Sequence, residues 1–116
     1  MAIDIKAELN YYPVSPQKMR LVVDMVRGKG AEEALTILRF VNKKSAEPVR
    51  KLIASAMANG ENNFGIPSEN LYVHEIVANE APTRKWRRYG ARGRFKPILK
   101  RSSHVNVVLR EKVNQR

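Results

Sequence analysis

The stretch from Arg84 to Arg101 reads Arg-Lys-Trp-Arg-Arg-Tyr-Gly-Ala-Arg-Gly-Arg-Phe-Lys-Pro-Ile-Leu-Lys-Arg, and its residue types specify one chemistry, the binding of a polyanion. Nine of its eighteen residues are Lys or Arg and none is acidic. Six of the nine are Arg, whose planar guanidinium grips phosphate through two donors and stacks on bases. Trp86, Tyr89 and Phe95 lie between them and offer faces for unpaired bases. Gly90 and Gly93 permit positive φ and a close backbone approach. The chain's formal charge is +11, and the residues outside this stretch supply only +2 of it. The charge is therefore local. Nine cations cannot be buried together, because they repel one another and lose their hydration. Nucleic acid is the leading partner class and an anionic membrane surface the second.

Other chemistries find little support. The chain has two histidines and no cysteine, so it has neither a disulfide frame nor a thiolate metal site. His104 stands beside Ser102 and Ser103, but neighbouring strand residues point to opposite faces and no orienting acid is near. Gly28-Lys29-Gly30 lacks the spacing of a phosphate-cradling loop. Met19, Met25 and Met57 read as core or near-core side chains, and Glu32-Glu33 as a helix-start charge pair. The expectation is a protein that is not an enzyme and uses no metal or cofactor. The first residues combine no basic segment with an apolar run, and no stretch of about 18 apolar residues occurs. A soluble cytoplasmic protein is expected, and no membrane partner.

The elements that must position the basic stretch can be read in order. At 116 residues the chain is long enough for one domain, spanning 1–116. Residues 2–11 alternate, with Ile3, Ile5, Ala7, Leu9 and Tyr11 on one side, which predicts a strand. Ser15-Pro16 reads as an N-cap and first helical position. Met19, Val22, Val23 and Val26 then form a helical stripe that ends at Gly28, predicting a helix over 16–27. Lys18, Arg20 and Arg27 lie off that stripe and are available to a partner. Ala34, Ile37, Leu38 and Val41 predict a second helix ending near Asn42, with Leu35 widening its face. Lys43-Lys44-Ser45 leads to a third, with Pro48 in its first turn and Val49, Leu52, Ile53, Ala56, Met57 and Gly60 as its stripe. The small residues in its second half allow another element to approach closely. Asn62–Ser68 reads as a turn cluster.

From Leu71 the period returns to two, with Leu71, Val73 and Val77 in one series and Ile76 and Ala78 in the other. After the basic stretch, Val105, Val107 and Leu109 mark a last strand. The final two strands form a natural antiparallel pair, so the basic stretch becomes a long protruding hairpin, about 80–102. Pro82 and Pro97 belong on its outer edges or at irregularities.

Between DNA and RNA the physical margin is narrow. A basic β-arm also serves architectural DNA-binding proteins, which work as symmetric pairs and wedge apolar residues between base steps. This tip is richer in aromatics and arginine than a wedge requires, and no face is evidently given to dimerisation. RNA is favoured and no homo-oligomer is expected, a DNA-binding architectural protein being the alternative.

Three blocks carry a resemblance to a known family. They are Ser15–Lys29 in the first helix, Asn42-Lys43-Lys44 with Ala58-Asn59 in the third, and Ala91-Arg92-Gly93-Arg94 with Ile98–Val105 at the C-terminal side. The chain resembles the bacterial members of universal ribosomal protein family twenty-two of the large subunit. The resemblance implies an α+β fold, with a three-stranded antiparallel sheet packed on three helices and a protruding basic β-hairpin. It also implies binding to large-subunit rRNA, a part in subunit assembly, and a hairpin tip lining the polypeptide exit tunnel. The implied partners are large-subunit rRNA, neighbouring large-subunit ribosomal proteins and the nascent polypeptide. The RNA-binding residues expected are Lys18, Arg20, Lys43, Lys44, Arg84, Lys85, Arg87, Arg88, Arg92, Arg94, Lys96, Lys100, Arg101, Ser103 and His104. The expected tunnel-lining tip is Trp86, Arg87, Arg88, Tyr89, Gly90 and Ala91. Ala81 stands where the family carries glycine, which disfavours positive φ at the hairpin entry. Trp86, Tyr89 and Gly90 replace the Arg, Pro and Arg of many members.

Overall fold

In the computed structural model, which describes residues 3–81, 84–89, 95–100 and 102–112, the chain runs β1 (Ile5–Tyr12), α1 (Pro16–Val26), α2 (Ala31–Phe40), α3 (Ala46–Phe64), β2 (Leu71–Glu80), β3 (Arg84–Tyr89), β4 (Phe95–Lys100) and β5 (Ser103–Glu111). Strands β3 and β4 are described by their backbone pairing.

Each helix starts and stops on local chemistry. The Ser15 hydroxyl accepts a long hydrogen bond, 3.5 Å, from the Lys18 N–H, and Pro16 occupies the first helical position. Met19, Val22, Val23 and Val26 are all fully buried, whereas Met25 is 42% exposed and lies outside the core. Gly28, at φ +80°, turns the chain, and its N–H donates to the Val73 carbonyl at 2.9 Å while the Val73 N–H donates to Lys29 at 2.8 Å. Helix α2 carries Glu32 and Glu33 in its first turn and buries Ala31, Ala34 and Leu38, with Leu35, Ile37 and Val41 packed against that core.

Helix α3 buries Val49, Leu52, Ile53, Ala56, Met57 and Gly60. It also absorbs Asn62, Asn63 and Phe64, where the sequence reads as a turn. The reason lies at Gly65, whose φ of +66° lets its N–H reach Glu61 and the Ile66 N–H reach Gly60, closing the last turn. The asparagines are solvent-exposed, so their polarity does not oppose helix there.

The main sheet is antiparallel in the order β1-β5-β2. Central β5 buries Ser103, Val105, Val107 and Leu109 at every second position. Both outer strands depart from simple alternation. In β1 the register shifts between Leu9 and Tyr12, Tyr11 adopts φ 55°, and its side chain is 56% exposed while Tyr12 packs against the core. Tyr11 therefore leaves the inward series, and Ile3 is exposed as well. In β2 an extra residue lies between the pairs Val73↔Leu109 and Glu75↔Val108. This bulge transfers the inward series from Leu71 and Val73 to Ile76 and Ala78, leaving Val77 half-buried.

The helices cover one face of this sheet, α3 lying over β1 and α1 over β2. Contact is closest at Gly60, where an added Cβ would lie 2.6 Å from Ile5 Cδ1 and 3.2 Å from Leu71 Cδ1. The small-residue half of α3 serves this approach.

Strands β3 and β4 form a second sheet of their own, continuing from β2 and β5. The Ala81 N–H donates to the Ser102 carbonyl at 3.0 Å at the junction, and Ala81 is buried without positive φ. The radius of gyration, 17.6 Å, exceeds the roughly 13 Å expected of a compact chain this long, and the longest axis is 71 Å. The molecule is a packed α+β body with an extended hairpin.

Candidate nucleic-acid interface

The hairpin register pairs Arg84 with Lys100, Lys85 with Leu99, Trp86 with Ile98, Arg87 with Pro97, Arg88 with Lys96 and Tyr89 with Phe95. Residues opposite one another share a face of an antiparallel pair. Arg84, Lys100, Arg88 and Lys96 thus belong to one face, with the Trp86–Ile98 pair between them. Lys85 and Arg87 belong to the other, with the Tyr89–Phe95 pair at its far end. Two cation pairs stand directly opposed, an arrangement that destabilises an isolated hairpin by about 0.2–1 kcal/mol per pair. Pro97 is tolerated because both strands of a two-stranded sheet are edges. Of the residues expected to bind RNA or line a tunnel, Gly90, Ala91, Arg92, Arg94 and Arg101 lie outside the described residues.

The root of the hairpin is built by the start of β5. The Tyr11 N–H donates to His104 Nδ1 at 3.1 Å, and the two rings meet edge to face with centroids 4.5 Å apart. That bond assigns the acceptor role to Nδ1 and leaves Nε2 as a donor for a partner. Ser103 is fully buried and its hydroxyl donates to the Val14 carbonyl at 2.5 Å, so its side chain fastens the β1–α1 loop.

The cations of the body divide into two groups. Arg27, read as free, donates from Nε at 3.3 Å and from Nη2 at 2.8 Å to the Ile76 carbonyl beside the β2 bulge, and from Nη1 to Asp24 at 2.7 Å. It is committed to the scaffold. Arg20 uses its Nε on the Ala78 carbonyl at 3.1 Å and lines a cleft with Ser15, Pro16, Gln17 and Glu80 at the hairpin base. Lys18, Lys43 and Lys44 are exposed and line one groove of about 590 Å³ with Pro13, Val14, Ser15, Leu21 and Ser45. The sequence offered no signal that α1 and the α2–α3 connection would meet there.

Elsewhere charge is locally balanced. Arg110 Nε donates to Asp4 at 2.5 Å, tying β5 to the start of β1, and this hydrogen bond holds the Asp4 carboxyl below the ordinary carboxylate range and raises Arg110. Arg50 does the same to Glu47 within α3. Among the described residues no group of His, Asp and Glu is placed to hold a metal ion, and no helix is long and apolar enough to cross a membrane.

Comparison with known proteins gives a concordant result. The family model described as "Ribosomal protein L22p/L17e" matches residues 7–110. Proteins named "Large ribosomal subunit protein uL22" from Thermoanaerobacter sp. (strain X514) and Thermoanaerobacter pseudethanolicus (strain ATCC 33223 / 39E) are each 46% identical over 110 residues, covering 95% of this chain and 99% of the relative.

Proposed function

This chain belongs to the L22p/L17e family of ribosomal proteins, and on that footing we propose that it binds large-subunit rRNA through the β3–β4 hairpin and its root, supports subunit assembly, and presents Trp86–Ala91 to the polypeptide exit tunnel. It is a structural constituent of the large ribosomal subunit, with rRNA and neighbouring ribosomal proteins as partners, and it is not an enzyme.

The observation that carries the RNA reading is the hairpin register. Arg84 opposes Lys100 and Arg88 opposes Lys96 in the register, so like charges fall at paired positions, which favours a bound counter-anion. Cations belong to both faces of the hairpin. It therefore suits a setting in which RNA surrounds it, more than a flat surface on which it lies. Six paired residues per strand extend about 20 Å at 3.3–3.4 Å each, enough to pass between packed helices of RNA. Lys and Arg along the limbs hold phosphates, and Trp86 and Tyr89 offer stacking surfaces towards the tip. Arginine forks and aromatic faces favour RNA, whose loops expose bases, over the degenerate minor groove of DNA.

The test is a comparison of the full chain with a variant in which residues 84–96 are replaced by a two-residue turn. The full chain is expected to sediment with the large subunit in high-salt gradients, and a photo-reactive group at Tyr89 to crosslink to nascent polypeptide. The shortened variant is expected to keep its folded body and lose salt-resistant association. Equal sedimentation of both proteins, with no crosslink from Tyr89, refutes the reading.

A further inference from the structure

The two outer edges of the main sheet differ. Along β2 the backbone groups that point away from β5 are engaged. The Val73 N–H and carbonyl bond Lys29 and Gly28, the Ile76 carbonyl takes Arg27, and the Ala78 carbonyl takes Arg20. Along β1 they are not. Val73 turns both its backbone groups outward, so its ladder partner Leu109 turns its own towards β1, where it faces Ile5. Alternation then turns the N–H and carbonyl of Lys6 and Glu8 to the free edge, and no turn or loop backbone among the described residues bonds them. Such an edge is a template for a further strand. The register shift between Leu9 and Tyr12 ends the regular run, leaving Ile5–Leu9, about 17 Å long, open to pairing.

A groove lies beside this edge. It encloses about 340 Å³ between β1 and α3, with Leu9 and Tyr12 on one wall and Pro48 and Leu52 on the other. Leu9 and Tyr12 are only half-buried, so apolar surface opens into it. Glu8 and Glu47 line it as well. Arg50 engages Glu47 and Lys51 stands 3.9 Å from it, whereas Glu8 has no ion partner among the described residues. Lys18, Lys43 and Lys44 take no part in this groove. In a chain of net charge +11, an unpaired carboxylate beside an open strand edge marks a place for a cationic partner.

We propose that this edge and groove form a β-augmentation site, which takes an extended, basic segment of a neighbouring large-subunit protein as a strand antiparallel to β1. Alternating backbone donors and acceptors at strand spacing are matched by another extended backbone, and Glu8 opposes a phosphate. Residues of the segment opposite Ala7 and Leu9 share their face and enter the groove, so they are apolar. The residue opposite Glu8 is Lys or Arg. The inference rests on membership of the large subunit and not on the rRNA reading of the hairpin.

The test begins with the full chain carrying a photo-reactive amino acid at Lys6, Ser55 or Lys29 in turn. Each protein is assembled into large subunits and irradiated, and crosslinked peptides are identified by mass spectrometry. Lys6 on the open edge and Ser55 on the α3 wall should reach the same segment of one ribosomal protein, apolar and basic by turns. Lys29, on the engaged edge, should miss it. That segment, as a labelled peptide, is then titrated against the free full chain and its variants. Lys6→Pro removes an outward N–H and leaves the ladder to β5 intact, so it should bind about fivefold or more weakly than Lys6→Ala, which keeps that N–H. Glu8→Lys leaves the backbone untouched and should weaken binding by about threefold or more, with Glu8→Gln between it and the full chain. It carries the test should Lys6→Pro unfold.

Crosslinks only to rRNA or to a second copy of this chain overturn the proposal, as does failure to reach any one protein segment. A segment that binds folded Lys6→Pro as tightly as Lys6→Ala docks without strand pairing and overturns the augmentation. Equal binding by Glu8→Lys and the full chain overturns the basic character assigned to the partner. None of these outcomes bears on sedimentation through the hairpin, so the rRNA reading stands or falls separately.

Discussion

Replacing Arg88 and Lys96 together by threonine removes one of the two opposed cation pairs from the hairpin, and the register makes the consequences run in opposite directions. Binding should weaken. Each phosphate contact contributes about 0.7 to the salt slope on single-stranded RNA and about 0.9 on a duplex, so two lost contacts lower the slope by about 1.4–1.8. Across a fourfold rise in salt, the variant should lose about tenfold less affinity than the full chain. The free hairpin, by contrast, should become better ordered. Deleting the like-charge opposition relieves about 0.2–1 kcal/mol, and threonine suits strands better than lysine. Fluorescence anisotropy of labelled large-subunit rRNA in a potassium chloride series measures the first effect. Amide hydrogen exchange across residues 84–100 of the free chain measures the second. A control that exchanges the two residues, Arg88→Lys/Lys96→Arg, should keep the slope. An unchanged slope in the threonine variant refutes the phosphate role, and weaker exchange protection in the free variant refutes the claim of cation opposition.

Three further outcomes concern the body. Gly60→Ala should cost up to about 2 kcal/mol, the overpacking of about 1–3 kcal/mol being offset by roughly 1 kcal/mol gained in helix propensity. In an Ile5→Val background, which removes the Cδ1 atom 2.6 Å from the new methyl group, that cost should shrink by at least about 0.5 kcal/mol; additive denaturant-unfolding energies would sink the packing argument. Arg27→Ala should destabilise by about 1–2 kcal/mol, the charge-assisted bonds to Ile76 being discounted because the side chain is 45% exposed. Arg27→Lys should recover less than half of it, lacking the fork, and full recovery would show that charge alone matters. Asp4 is held below its ordinary range by Arg110, so its contribution is present above the unfolded-state value and lost as pH falls through the lower folded value. Asp4→Asn should flatten that part of the melting temperature–pH curve, and identical acid limbs in the two proteins would contradict the pairing.

Most of the secondary structure was legible because it depends on near neighbours. The helical stripes of α1 and α3, the Ser15 start and the glycine turn at Gly28 all follow from residues within one or two turns of each other. Central β5 is equally plain, because flanking strands on both sides and helices on one face impose strict alternation. The edge strands were misread where they bulge. Nothing local to Tyr11 or His74 announces an extra residue, which is set by the register against β5, some 90 and 30 residues away in sequence. Gly65 likewise shows how far a turn signal can mislead, since it closed a helix that runs through two asparagines.

The concentrated positive charge of this protein was legible in the sequence alone, because net charge and residue type need no fold to be counted. The same holds for the family to which it belongs, whose signature blocks are contiguous. Which cations are free to bind was decided only by tertiary structure. Arg27 and Lys18 look alike on a helical wheel, yet one is held by a strand carbonyl and the other faces a groove. Hydrogen-bond partners and concavity arise where segments distant in sequence meet, and periodicity carries no information about those meetings.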